Sequence, residues 1–198
     1  MIAFGCATTD ERLFRAGAAV AIEAAADRDS LLMRRRVEGS FAGPYDEMMA
    51  EAAGHGDLEA LVLVGQSVSR LAGDLPARAR ALLAADPAVA VVGPAAVEGA
   101  REVESVGGAL LVLSAWAVRE LRCDPSVSDA LDPLAIDLCF QARARGRRVV
   151  GSDALGTEAG ERRAWPAAER RAWVRSFAAA QRKWGSRVAP RLSATPVA

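Results

Sequence analysis

The sequence predicts an α/β protein: one domain of three layers, helix on sheet on helix, around a mostly parallel sheet. Two observations carry this. The apolar runs EALVLV at Glu59–Val64 and AVAVV at Ala88–Val92 lack the polar alternation of a half-exposed strand, so both their faces must be covered. Between such runs lie segments whose apolar residues recur at helical spacing, and this alternation feeds parallel strands through crossover helices. A third observation makes the core affordable: 52% of the 198 residues are hydrophobic.

Each element follows from its residues. Met1 to Ala7 is an apolar strand, and Thr8, Thr9 and Asp10 are helix-start residues. An Ala-rich helix follows to about Ala26, with Leu13, Phe14, Ala18, Ala21 and Ile22 on one face. Ser30 to Val37 reads as a strand and EGSFAGP as a loop. Tyr45 to Ala53 reads as a helix stopped by Gly54 and Gly56. After the strand Glu59–Val64 come a helix at Pro76–Ala85 and the strand Ala88–Val92. Pro94 to Val106 is short and irregular. The rest reads as a strand at Ala109–Leu113, helices at Ser114–Leu121 and Pro133–Arg145, a strand at Arg147–Gly151 and a helix at Ala167–Trp184. On that last helix Trp173, Phe177 and Trp184 share a stripe expected to pack on the sheet.

Composition excludes several classes. Lys+Arg and Asp+Glu both number 25, which argues against a general nucleic-acid or membrane binder. No apolar run approaches the ~18 residues of a membrane span, and the N-terminus has no basic region, so a cytoplasmic protein is expected. The three cysteines form no Cys-x-x-Cys pair and read as buried small hydrophobes, not a zinc site. His55, the sole histidine, lies in the loop GHGD without a second ligand nearby.

Five stretches occur in a telling order: MIAFGCATTD, SFAGPYDEMMAEAA, LEALVLVGQSV, GGALLVLSAWAVREL and DLCFQARARGRRVV. Together they resemble the glycosyltransferase family 2-like domain, of the GT-A fold. The resemblance covers the chain to about Val150 and implies one such domain over residues 1–188, with 189–198 as a flexible tail. It implies a nucleotide-diphosphate-sugar donor at the carboxyl ends of the central strands, where open α/β sheets bind ligands. It places Thr8, Thr9, Asp10, Ser40, Tyr45, Gln66 and Ser67 on the nucleotide side. Gly107, Gly108 and Trp116 fall on the acceptor side, the glycines by close backbone approach and the tryptophan by stacking on a sugar.

The chemistry-bearing positions depart from the family's pattern. The strand EALVLV ends in the family with an acidic motif that holds a divalent cation; here it ends Gly65-Gln66-Ser67. Hard cations favour anionic oxygen, which glycine and serine do not offer, so no cofactor is expected and manganese or magnesium is improbable. The family's general-base positions fall on Leu134 and Ala135. Asp137 survives as a weak catalytic candidate, better explained as an acidic residue in a helix's first turn. Asp132 is near in sequence, with Pro133 between it and the helix. Asp153, Glu158 and Glu161 read as a solvated face. The connection from Val92 to Gly107 is shorter than the family's, which predicts a shallow, wet cleft.

The expectation is a degenerate domain that binds a nucleotide sugar or a partner without the usual metal-dependent catalysis. One alternative is an active metal-independent transferase in which Arg34, Arg35, Arg36, Arg101, Arg162 or Arg163 meets the diphosphate. The other is a protein-interaction module, which would show an exposed apolar patch near the cleft.

Overall fold

A computed structural model describes residues 1–159 and 167–185. The chain runs β1 (Ile2–Thr8), α1 (Glu11–Ala16), α2 (Ala18–Ala25), β2 (Leu31–Arg36), α3 (Ala42–Ala53), β3 (Ala60–Val64), β4 (Val68–Arg70), α4 (Leu75–Ala84) and β5 (Val89–Pro94). It continues with β6 (Ala100–Glu102), β7 (Leu110–Ser114), α5 (Ala115–Glu120), α6 (Leu131–Ala144), β8 (Arg148–Ser152), β9 (Glu158–Ala159) and α7 (Ala167–Trp184).

Seven strands form one sheet in the order β2-β1-β3-β7-β5-β8-β6. β1 pairs parallel with β2 and β3, and β5 pairs parallel with β8. β7 is antiparallel to both β3 and β5, so those two run the same way on either side of it. β6 runs antiparallel to β8 at the edge. Five strands thus share one direction, and the mostly parallel sheet is as expected.

The continuous apolar strands are covered on both faces. One core joins Leu61, Leu63, Leu111, Leu113 and Val149 to α3, α5 and α6. The other joins Phe4, Val62, Val64, Val112 and Val150 to α2 and α4. All five residues of β3 are buried, which removes several side chains' worth of apolar surface from water at about 1.5–3 kcal/mol each.

Several elements differ from the sequence reading. The expected first helix breaks at Gly17, where α1 ends and α2 begins. A Cβ there would stand 3.0 Å from the Gln66 carbonyl and 3.1 Å from that of Val68, so the break lets the helix backbone lie against the chain leaving β3. α3 begins at Ala42 rather than Tyr45 and takes Pro44 into its first turn, where a missing N–H costs nothing. The segment 94–106 contains the edge strand β6, and β4 pairs with β9 in a two-stranded ribbon.

α6 begins at Leu131, so Asp132 and Pro133 lie inside it and Asp137 stands past the first turn. Pro133 through Ala142 are all buried, because α6 lies between the sheet and α7. The α7 stripe therefore does not reach the sheet. Phe177, with Trp173 and Trp184, packs on Ile136 and Phe140 of α6 and on Val127. Trp173 stacks on Phe177 with ring centroids 4.8 Å apart.

All three cysteines are buried and free. Burial pushes the Cys6 and Cys139 thiols up to about 12, which leaves them without thiolate character. Among the described residues no helix is long and apolar enough to cross a membrane. The tail expected at 189–198 lies outside the described residues.

Candidate functional site

Two clefts open at the carboxyl edge of the parallel strands. The larger, about 480 Å³, is floored by Ala7 and Thr9 after β1, by Gly65, Gln66 and Ser67 after β3, and by Gly108 and Ala109 before β7. Asp129 to Asp132 at the start of α6 form one wall, Phe41 another, and Glu169, Ala172 and Trp173 of α7 a third. The second, about 440 Å³, is lined by Pro94–Ala96, Gly107, Ser152, Asp153, Gly156 and Thr157. Ala109 and Asp132 line both.

Gln66 builds the floor. Its Oε1 accepts from the Thr8 hydroxyl (3.0 Å), the Thr9 amide (2.8 Å) and the Asp10 amide (3.1 Å), and its Nε2 donates to Thr9 Oγ1 (2.8 Å). The side chain thus clamps the turn after β1 to the end of β3. Asp10 caps α1, accepting from the amides of Arg12 (2.9 Å) and Leu13 (3.1 Å). The opposite wall is tied in a similar way. Phe41 donates its amide to the Ser128 carbonyl (2.7 Å), and Ser40 Oγ accepts from the Ala42 amide (3.2 Å) and donates to that same carbonyl (3.4 Å).

Of the residues expected on the nucleotide side, Thr9, Gln66 and Ser67 line the cleft. Thr8 is buried beneath it, Asp10 caps α1, and Ser40 Oγ accepts from the amide of Ala42 at the start of α3. Tyr45 is a core residue with no exposed surface, stacked on Phe41. Gly108 and Gly107 each reach a cleft. A Cβ on Gly108 would meet the Leu131 backbone at 2.8 Å, so the glycine lets β7 start directly against α6.

Trp116 is at the other end of the sheet. β7 runs against its neighbours, so its carboxyl end, where α5 starts, faces the amino end of β3; the Ala115 amide donates to the Glu59 carbonyl. The Arg147 guanidinium covers the Trp116 ring at 4.4 Å. His55 is exposed in the loop after α3.

Asp137 is 0% exposed and faces α7, not the cleft. Its Oδ1 accepts from Trp184 Nε1 (2.7 Å) and pairs with Lys183 Nζ (2.9 Å), while Oδ2 accepts from Gln141 Nε2 (2.7 Å). Burial works against the Lys183 charge, but its bonds to Asp124 and Asp137 outweigh that and raise its pKa above the ordinary lysine value. Asp132 is the carboxylate that does reach the cleft. Its Oδ1 accepts from the Gly108 amide (2.8 Å), and its other oxygen has no hydrogen-bond partner among the described residues. Its signal in the sequence was hidden by Pro133, which marks the first turn of α6 rather than a break before it.

The described candidate arginines line neither cleft. Arg34 pairs with Glu11 at 2.7 Å and Arg35 with Glu47 at 3.2 Å and with Glu51. Arg36 is exposed at the end of β2, in register with Thr8. Arg101 lies on the edge strand β6. Arg162, Arg163 and Glu161 lie outside the described residues.

No family model matches the chain, and no curated protein does. Solved structures do. A mannosyltransferase from Pyrobaculum calidifontis, in complex with GDP-Man and Mn2+, is 18% identical and superposes with a TM-score of 0.63 over 91% of this chain and 64% of its own. The fold is glycosyltransferase-like. TarS 1-349 of S. aureus is 9% identical, with a TM-score of 0.53 over 93% of this chain and 72% of its own. A protein from STIV is also 9% identical, with a TM-score of 0.53 over 83% of this chain and 96% of its own.

The glycosyltransferase-like fold raises the question of a divalent cation, and the described residues do not assemble a ligand set for one. The Gln66 oxygen is committed to three donors, and Ser67 brings only a hydroxyl. Asp129 is paired with Arg175 at 3.1 Å. Among the described residues no three His, Cys, Asp or Glu side chains come together as a metal site.

Proposed function

We propose that this chain is a GT-A-type domain that binds a nucleotide-diphosphate sugar in the larger cleft without a carboxylate-held divalent cation, and so without the usual metal-dependent catalysis. The observation that carries this reading is the end of β3. There Gly65-Gln66-Ser67 borders the cleft, and its one strong oxygen is spent on the turn after β1. The ligand class rests on the fold, since the mannosyltransferase neighbour is in complex with GDP-Man.

The cleft's charge shapes how such a ligand is held. Its described lining includes Asp129, Asp132 and Glu169 and no Lys, Arg or His. The diphosphate therefore meets like charge, and the nucleoside and sugar carry the binding through Phe41, Trp173 and the polar floor. The amino end of α6 has no side-chain cap and borders the cleft, which places the positive end of the helix dipole beside it. Isothermal calorimetry with GDP, UDP and GDP-mannose, with and without manganese, tests the proposal. The expected result is binding with an affinity that manganese leaves within about twofold, a change of about 0.4 kcal/mol. Binding that requires manganese, or no binding at all, overturns it.

A second reading, an active transferase, is favoured by one observation: Asp132 stands where the two clefts meet, with one oxygen fixed by Gly108 and the other without a hydrogen-bond partner among the described residues. In that reading an acceptor hydroxyl oxygen bonds to the anomeric carbon and its proton passes to Asp132. The bond from sugar to phosphate breaks, and the nucleoside diphosphate leaves with the electron pair. None of Arg34, Arg35, Arg36 and Arg101 lines either cleft, so the arginine version of this reading draws no support from the described residues. An interaction module draws none either. The exposed large apolar residues Val20, Leu32 and Val174 stand singly on α2, β2 and α7, which is ordinary for a folded surface.

A further inference from the structure

The second cleft is the feature the donor site does not use. It adjoins the donor cleft through Asp132 and Ala109, and its volume of about 440 Å³ is that of a small-molecule site. Its described polar side chains are the carboxylates of Asp132 and Asp153 and the hydroxyls of Ser152 and Thr157, with no Lys, Arg or His among the described lining residues.

Those groups are held in defined states. Ser152 Oγ accepts from the Ala154 amide (3.2 Å) and caps the short turn Asp153–Leu155. Asp153, exposed at the head of that turn, has no ion pair or side-chain hydrogen bond among the described residues. Arg78 of α4 reaches the same loop but spends its guanidinium on Asp74 at 2.6 Å and on the Ala154 carbonyl at 2.6 Å. Among the described residues the cleft therefore offers carboxylate and hydroxyl oxygens, which accept from hydroxyls and ammonium groups, and no cationic side chain to neutralise an anion.

We infer that this second cleft is an acceptor subsite for a polyhydroxyl compound of neutral or positive charge, an amino sugar being bound best, and that it rejects compounds carrying carboxylate or phosphate. The inference rests on reading the larger cleft as the donor site. Its own content is the charge selectivity. A ligand ammonium gains from Asp132 and Asp153, whereas a ligand carboxylate in the same position is repelled by both.

Saturation-transfer NMR with glucose, glucosamine and glucuronate tests this. The three share one ring and differ in charge, and the pH is set so that the amine is protonated and the carboxylates are ionised. The intact chain should bind glucosamine more tightly than glucose and glucose more tightly than glucuronate, each step about two- to fivefold for a solvent-screened pair. Asp153→Asn should shrink both steps. Asp153→Lys should invert the order of glucosamine and glucuronate. Glucuronate binding as tightly as glucosamine in the intact chain overturns the inference, as does an order unmoved by Asp153→Lys, or binding of none of the three. A parallel GDP titration separates the two readings, because Asp153 does not line the larger cleft. GDP binding without the sugar order defeats this inference alone. The sugar order without GDP binding defeats the donor reading and leaves the charge selectivity of the second cleft standing.

Discussion

Gln66 is the side chain whose removal tests most about this site. Gln66→Ala deletes all four hydrogen bonds that join the turn after β1 to the end of β3. A net bond is worth about 0.5–1.5 kcal/mol. The Thr8 hydroxyl keeps an alternative acceptor in the Asp10 carbonyl at 3.1 Å, and exposed Thr9 turns to water. The part-buried Asp10 amide is the donor left without a substitute, at a cost of about 1–3 kcal/mol. Gln66→Glu keeps an oxygen facing the three donors. It loses only the Nε2 donation, which the Thr9 hydroxyl replaces by rotating to become the donor, so its cost is below about 1 kcal/mol. Urea denaturation should order the proteins wild type, Gln66→Glu, Gln66→Ala in falling midpoint with an unchanged slope. GDP affinity measured on the folded variant should fall for Gln66→Ala, because Thr9 lines the cleft on that turn. An alanine variant within 0.5 kcal/mol of wild type, taken as about the error of such a comparison, would show that the turn holds its shape without the clamp.

Three further perturbations follow from the packing. Gly108→Ala places a methyl group 2.8 Å from the Leu131 backbone and should cost about 1–3 kcal/mol, whereas Gly107→Ala, whose nearest contact would be Asp132 Oδ1 at 3.7 Å, should change the melting temperature little. Asp137→Ala removes a fully buried carboxylate that accepts from Trp184 and Gln141 and pairs with Lys183, and should cost about 3 kcal/mol by urea denaturation. The bond from Lys183, and then those from Ser126, hold the Asp124 carboxyl down from the ordinary 3.8 to about 2. The stability Asp124 contributes is thus complete above 3.8 and disappears as pH falls through about 2, so tryptophan fluorescence should report loosening of α7 in that window. Solvent screening keeps this contribution below about 1 kcal/mol, and a transition centred above pH 5 would point to another group.

The layered architecture was legible because burial on both faces leaves a plain mark: runs such as EALVLV have no polar partner positions. The final helix was legible too, and its bounds match α7, but its partner was not. The stripe of Trp173, Phe177 and Trp184 says that something apolar lies opposite, and α6 serves as well as a sheet would. What identifies α6 is its own sequence. Its buried run Pro133–Ala142 has no polar face beyond Asp137 and Gln141, and those two bond to each other. A helix apolar on nearly all sides must be covered on two, and the sheet covers only one.

The site was less legible because it depends on strand direction, which hydrophobicity does not encode. LLVLS reads the same whether it runs with its neighbours or against them. Run parallel, the strand would deliver Trp116 to the ligand-binding edge and leave Gly107-Gly108 at the far end. β7 runs antiparallel, so the placement is reversed: the glycines start the strand at the ligand-binding edge and Trp116 leaves it at the other. The same reversal makes Asp132 a cleft residue. Gly108, without a side chain, admits the start of α6 to contact distance, and its amide fixes one oxygen of the carboxylate that the two clefts share. A reversed strand, two glycines and a proline in a helix's first turn thus place an acidic group at the edge where the clefts open, although the positions that correspond to the family's general base hold Leu134 and Ala135, both buried.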